Sequence, residues 1–204
     1  MPGGPVVSIE RAGQVTTLKI DRLERRNALD TQAILSLNEA IDQAKHDSSV
    51  KALVITGAGE IFSAGGDLDS FRVPGSPLSR ALERRHLGRL LGLIDELGKP
   101  TLARVNGDAL GLGLGLVAAC DLAIACREAR FGLPGIRLGI WPMTILAPLR
   151  RTMPRKILMD LLLTGRLMDS AEAAAVGFVN AVVERSRLDQ AVEDTTRALT
   201  RSSV

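Results

Sequence analysis

Asn106-Gly-Asp-Ala-Leu-Gly-Leu-Gly-Leu-Gly-Leu-Val-Ala-Ala-Cys-Asp121 is the stretch on which the reading of this chain turns. Gly107, Gly111, Gly113 and Gly115 come directly after the strand-like Thr101–Val105, and the run then passes into Val117-Ala-Ala, which reads as helix. Glycine at this density carries an entropic cost. It is tolerated where backbone must approach something closely, so that N–H groups at a helix start can face negative charge. The spacing is G-x-G-x-G rather than G-x-G-x-x-G. No acidic residue follows about 20 positions on at the end of a second strand, which argues against a dinucleotide site. A small-residue helix start packed tightly on a sheet is the competing structural account. Only a second loop of the same kind separates the two.

A second loop is present. Gly57-Ala-Gly-Glu-Ile-Phe-Ser-Ala-Gly-Gly-Asp67 follows the apolar run Ala52–Thr56, which reads as a buried strand. Each glycine-rich loop thus follows a short strand and ends near a helix start. Two peptide N–H groups converging on one oxygen form an oxyanion hole, and removing one such donor typically costs about 10²–10³ in rate.

Working outward, the 204 residues suit one α/β domain over 1–204, with 46% apolar and 24% charged residues. Aromatics are scarce, with no Tyr, one Trp and four Phe, which argues against stacking platforms for nucleic acid. The arginines are scattered, and a net charge of +3 decides little between an anionic small ligand and a polymer. Cys120 and Cys126 have no ligand-spaced Cys or His partners, so buried thiols are expected and no metal site. No basic n-region opens the chain and no apolar run reaches a membrane-spanning length, so a cytoplasmic protein is expected.

Strands and helices alternate along the chain, which predicts layered α/β structure with much parallel pairing. Val6–Glu10 and Gln14–Ile20 read as a hairpin. Asp30 is placed to cap a helix from Thr31 to about Asp47, and Ser76 and Pro77 to start another that carries Leu87, Leu90, Ile94 and Leu97. Leu122–Cys126 and Ala129–Leu133 read as strands, and Pro134–Pro142 as loop. Helices follow at Ile145–Arg151 and Arg155–Leu163. Ser170 is expected to cap a helix, Phe178–Val182 to form a strand, and Ser186 to cap the last helix.

In order, Arg25-Arg-Asn-Ala-Leu29, Gly57–Asp67, Asn106–Asp121 and Ser170-Ala-Glu-Ala-Ala-Ala-Val-Gly-Phe-Val179 resemble the enoyl-CoA hydratase/isomerase (crotonase) superfamily. The match runs from about Val6 to Val183. The resemblance implies a crotonase-like spiral of β-β-α units (a core of about 6–183 and a terminal helix of about 187–200) and a trimer or hexamer. It also implies an acyl-CoA thioester as partner, with coenzyme A part of the substrate and no permanently bound cofactor. By motif, the N–H groups of Ala64 and Leu112 would take the thioester oxygen, with Gly65, Gly66 and Asp67 lining that end. Arg22, Arg25 or Arg26 would meet the phosphates of coenzyme A. Enolate stabilisation would serve proton abstraction, addition to a double bond and decarboxylation alike.

The chain departs from the pattern at two positions where the family carries glutamates. One is Gly115, and the other is Gly135 in Phe131-Gly-Leu-Pro-Gly. Each acid–base group contributes about 10²–10⁴, so weak hydration is expected, and a non-catalytic acyl-CoA binder or assembly subunit is the alternative. Asp69 and Asp108 are the candidate replacement carboxylates, Asp67 and Asp121 are expected to be structural, and Arg137 and Trp141 are placed to shape the acyl pocket. The resemblance implies further C-terminal helices past Val204, so the chain looks like a shortened form. The apolar face of Leu188, Ala191, Val192, Thr195 and Leu199 is therefore expected to drive association.

Overall fold

Val7–Ala12 (β1) and Val15–Ile20 (β2) pair antiparallel around Gly13, whose φ of +59° closes the two-residue turn. The computed structural model describes residues 5–67 and 77–202. Beyond the hairpin every neighbour in the large sheet is parallel. β2 pairs with Ala52–Gly57 (β3), β3 with Thr101–Val105 (β4), β4 with Leu122–Cys126 (β6), and β6 with Ala181–Val183 (β9). Strands covered on both faces read as unbroken apolar runs, and every residue of β3 is buried.

A second, three-stranded sheet holds Ala109–Leu110 (β5), Arg130–Gly132 (β7) and Leu167–Asp169 (β8). Single bridges add Ser63 to Ala109, and Leu29 to Gly66. The chain thus runs repeatedly from a long strand of the first sheet to a short one of the second, then into a helix. That is the β-β-α spiral, and mixed α/β class and spiral agree with the sequence reading.

Seven α-helices complete the described residues: Thr31–His46 (α1), Pro77–Asp95 (α2), Leu112–Ala119 (α3), Leu146–Thr152 (α4), Arg155–Thr164 (α5), Ser170–Ala175 (α6) and Leu188–Ser202 (α7). Asp30 caps α1 as expected, its carboxylate accepting from Ala33 N at 2.8 Å. α1 and α2 pack on each other, burying Leu37 and Ile41 of one and Leu90 and Ile94 of the other. Ser76, the expected cap of α2, lies outside the described residues.

Several expectations are corrected. α3 begins at Leu112, so Gly113 and Gly115 are helical rather than part of the turn. Pro134–Leu138 forms a 3₁₀ turn. Asp169, not Ser170, caps α6, accepting from Glu172 N at 2.8 Å, while the buried Ser170 hydroxyl donates to Arg127 O. Phe178 and Val179 are not strand: both N–H groups fold back to Ala173 O, and Phe178 meets Phe131 edge-on at 5.5 Å. Ser186 lies in a 3₁₀ turn ahead of α7 and makes no cap.

The apolar face of α7 is partly covered within the chain. Leu188, Val192 and Thr196 are buried, and the helix lies over the sheet face carrying Val15, Thr17 and Val54. Arg104 of β4 clasps Asp189 through Nε at 2.8 Å and Nη2 at 2.7 Å. Of the face expected to drive association, Leu188 and Val192 are thus buried within the chain, and Ala191, Thr195 and Leu199 are half-buried.

Candidate oxyanion site at the strand ends

Two buried asparagines hold the loops that follow β2, β3 and β4. The Asn27 amide donates to Ala58 O and Ile61 O, and its Oδ1 accepts from Arg22 N. Asn106 donates to Gly57 O, Gly59 O and Ile61 O, and accepts from Gly57 N. Asn27 has φ +54°, a left-handed conformation that Asn tolerates better than most residues. Neither role was singled out from the sequence. The signal available was two asparagines flanking glycine-rich loops, since only a side chain that both donates and accepts can join several backbone groups.

The two glycine-rich loops touch. Ser63 N donates to Asp108 O and Leu110 N to Ser63 O, at 3.0 and 2.9 Å. Gly65 has φ +105°, and a Cβ there would lie 2.9 Å from Leu110 O and 3.4 Å from Leu112 N. Only glycine lets these backbones meet. Gly113 is equally constrained, because a Cβ would stand 2.8 Å from both Cβ and O of Ser63.

Several N–H groups of the first loop are already engaged. Ala64 N donates to Arg26 O at 3.0 Å, Gly65 N to Ser63 Oγ at 3.2 Å, and Asp67 N to Leu29 O at 3.0 Å. The Ala64 N–H, expected to be the first donor, is thus engaged by Arg26 O. Gly66 N has no acceptor among the described residues. Leu112 N is the first N–H of α3, whose N-cap Gly111 gives no side-chain bond, and it too has no backbone acceptor among the described residues. Gly66 N and Leu112 N lie on the two touching loops.

Arg22, expected among the phosphate contacts, is engaged by the loop framework. Its side chain is 11% exposed, and it pairs with Asp30 at 2.8 Å and Asp67 at 3.4 Å while donating to Ala28 O. It ties the two carboxylates into the loop framework. Arg26 is open, with 65% of its side chain exposed. Arg25 lies in the 3₁₀ turn Leu23–Arg25.

Asp108 is not an available base. Arg130 grips both its oxygens, at 3.0 and 2.6 Å, and Arg26 approaches to 3.8 Å. That bidentate pair raises the pKa of Arg130. Asp69 lies outside the described residues. Asp121 is structural, accepting from both N and Oγ1 of Thr101.

The two glycines standing where glutamates were expected differ sharply. At Gly115 a Cβ would lie 2.4 Å from Cγ2 and 2.7 Å from Cβ of Ile145, so a buried isoleucine fills the space of a side chain. At Gly135 the nearest atom is Ile140 Cβ at 3.5 Å, ordinary contact. Trp141 is 41% exposed and Arg137 is exposed in the adjoining segment. Among the described residues no cluster of metal-ligating side chains occurs, and no helix is long and apolar enough to cross a membrane. Grooves of 350 and 490 Å³, under α7 and beside Lys99-Pro100, lie away from these loops.

Comparison with known proteins agrees with this architecture. The family model described as enoyl-CoA hydratase/isomerase matches residues 10–204. A putative enoyl-CoA hydratase of Thermus thermophilus is 39% identical over 180 residues, 87% of this chain and 70% of the relative. The mitochondrial enoyl-CoA hydratase domain-containing protein 3 of Danio rerio is 35% identical over 94% of this chain and 65% of its own length. The crystal structure of an enoyl-CoA hydratase from Mycobacterium smegmatis superposes with a TM-score of 0.93 at 33% identity, over 97% of this chain and 77% of that one. With the spiral, the paired glycine-rich loops and these matches together, the chain belongs to the enoyl-CoA hydratase/isomerase family.

Proposed function

We propose that the protein binds an acyl-CoA thioester with its carbonyl oxygen between the N–H groups of Gly66 and Leu112, and so stabilises the thioester enolate. The observation that carries this reading is the pair of acceptor-free N–H groups on two loops locked together by Ser63, Leu110 and Gly65. Leu112 adds the positive end of α3. Preorganised donors of this kind need no reorganisation as charge develops. Arg26, exposed beside the loops, meets coenzyme A phosphate, with Arg25 beside it in sequence. Coenzyme A enters and leaves as part of the substrate.

Hydration of an enoyl thioester is slow in this reading. Position 115 is glycine with Ile145 pressed against it, position 135 is glycine, and Asp67 and Asp108 are both held by arginines. The filled space at Gly115 also favours the second reading, a non-catalytic acyl-CoA binder. Titration calorimetry with acetoacetyl-CoA, paired with a crotonyl-CoA hydration assay, tests the proposal. Saturable binding with hydration far below that of a two-glutamate hydratase is expected. Absence of binding at millimolar ligand contradicts it.

A further inference from the structure

We infer that Arg185 is a positioning residue for the paired N–H groups: from the 3₁₀ turn ahead of α7, its guanidinium fixes the second glycine-rich loop through the carbonyl of Asn106. This rests on the acyl-CoA reading above and deepens it. Arg185 Nη1 donates to Asn106 O at 2.7 Å, across 79 positions of sequence. Asn106 is 2% exposed, and its carbonyl accepts from no backbone N–H among the described residues. A buried carbonyl needs a partner, and the arginine supplies it. Glu128, 3.5 Å from Nη2, faces the other edge of the guanidinium.

Asn106 is the point at which both loops are fastened. Its side chain holds the first loop at Gly57, Gly59 and Ile61. Its main chain opens the second loop, which continues through Gly107 to Leu112. At Gly107 a Cβ would run into the Glu60 carbonyl, so the two loops lie backbone against backbone immediately past Asn106. Gly66 and Leu112 belong one to each loop. Their separation therefore depends on how the Asn106 peptide is held, and a misplacement of about 1 Å can cost about 10²-fold. Arg185 holds that peptide from outside both loops. The neighbouring Glu184 has a different partner, Arg127, at 2.6 Å on the surface.

The test titrates the full chain and its variants with two ligands. Acetoacetyl-CoA carries a thioester oxygen for the N–H pair; S-butyl-CoA is a thioether without one. Ultraviolet absorption of bound acetoacetyl-CoA reports its enolate, and thermal denaturation reports folding. Arg185→Met should weaken acetoacetyl-CoA about 10- to 10²-fold and dim the enolate band, while S-butyl-CoA binds as it does to the wild type. Arg185→Lys keeps the charge and a donor, so it should recover part of the affinity and show the same selectivity at smaller size. It carries the test alone if Arg185→Met does not fold. Glu184→Ala, which breaks a pair beside the same turn without touching Asn106, should match the wild type with both ligands. Equal acetoacetyl-CoA affinity in the wild type and the Arg185 variants, a loss equal for both ligands, or the same loss in Glu184→Ala overturns this inference and leaves the acyl-CoA reading standing. A wild type that does not bind acetoacetyl-CoA overturns both.

Discussion

A methyl group at position 115 has nowhere to go. Its carbon would sit 2.4 Å from Ile145 Cγ2, and a β-branched side chain has little freedom to turn aside. Gly115→Ala should therefore destabilise the fold by about 1–3 kcal/mol through overpacking. Ile145→Ala should cost about 2–5 kcal/mol through its cavity. In the double variant each change relieves the other, so urea denaturation should show a loss smaller than the sum; simple additivity would place the two residues out of contact. Arg22 is the second residue with a sharp consequence. Its guanidinium is 11% exposed between Asp30 and Asp67, and removing one partner of a buried pair leaves an uncompensated charge. Arg22→Ala should cost about 3 kcal/mol by thermal or urea denaturation. A neutral effect would mean the pairs are solvated.

Elements show why some of the molecule was legible in the sequence and some was not. Parallel strands covered on both faces gave unmistakable apolar runs at Ala52–Gly57 and Leu122–Cys126. Asp30 announced α1 because a side-chain oxygen ahead of an apolar stripe has one evident use. The short strands β5 and β8 carry no period of their own, since two or three residues cannot show alternation. They exist because neighbouring strands supply their hydrogen bonds. The pairing of the Ala64 N–H with Arg26 O was illegible for the same reason. Which N–H of Ser-Ala-Gly-Gly-Asp remains without an acceptor depends on where Arg26 O and Leu29 O fall in space, and nothing local encodes that.

 Arg26 O takes the Ala64 N–H and Leu29 O takes that of Asp67, and both acceptors come from a loop more than thirty residues away in sequence. At this scale the cap of α6 gives a direct check. Asp169→Ala should lose about 0.5–2 kcal/mol of stability in urea denaturation, whereas Ser170→Ala should act through its lost bond to Arg127 O and leave the cap intact.

For the whole molecule, acid stability follows from its paired carboxylates. The Ser49 hydroxyl and the Arg11 guanidinium lower the pKa of Asp47 to about 2, and the Arg166 guanidinium lowers that of Glu172. A carboxylate whose folded pKa lies below its unfolded value stabilises the fold above the unfolded pKa. That contribution is lost as pH falls through the folded one. Melting temperature should therefore drop as pH falls from about 4 towards about 2, and Asp47→Asn should flatten part of that slope; an unchanged slope would contradict the pairing. In the opposite sense, burial and then the nearby Asp121 carboxylate push the Cys120 thiol up to about 12. Iodoacetamide should leave it unmodified until the protein is unfolded.

The spiral brings together two loops far apart in sequence, and the central claim is that their Gly66 and Leu112 N–H groups hold a thioester oxygen. Titration calorimetry of acetoacetyl-CoA into the wild-type chain and into Leu112→Pro, with folding of both checked by circular dichroism, tests it most directly. Saturable binding to the wild type, weakened at least tenfold in a folded Leu112→Pro variant, is the predicted result. Equal affinity in the two proteins, or no binding to either at millimolar ligand, would contradict it.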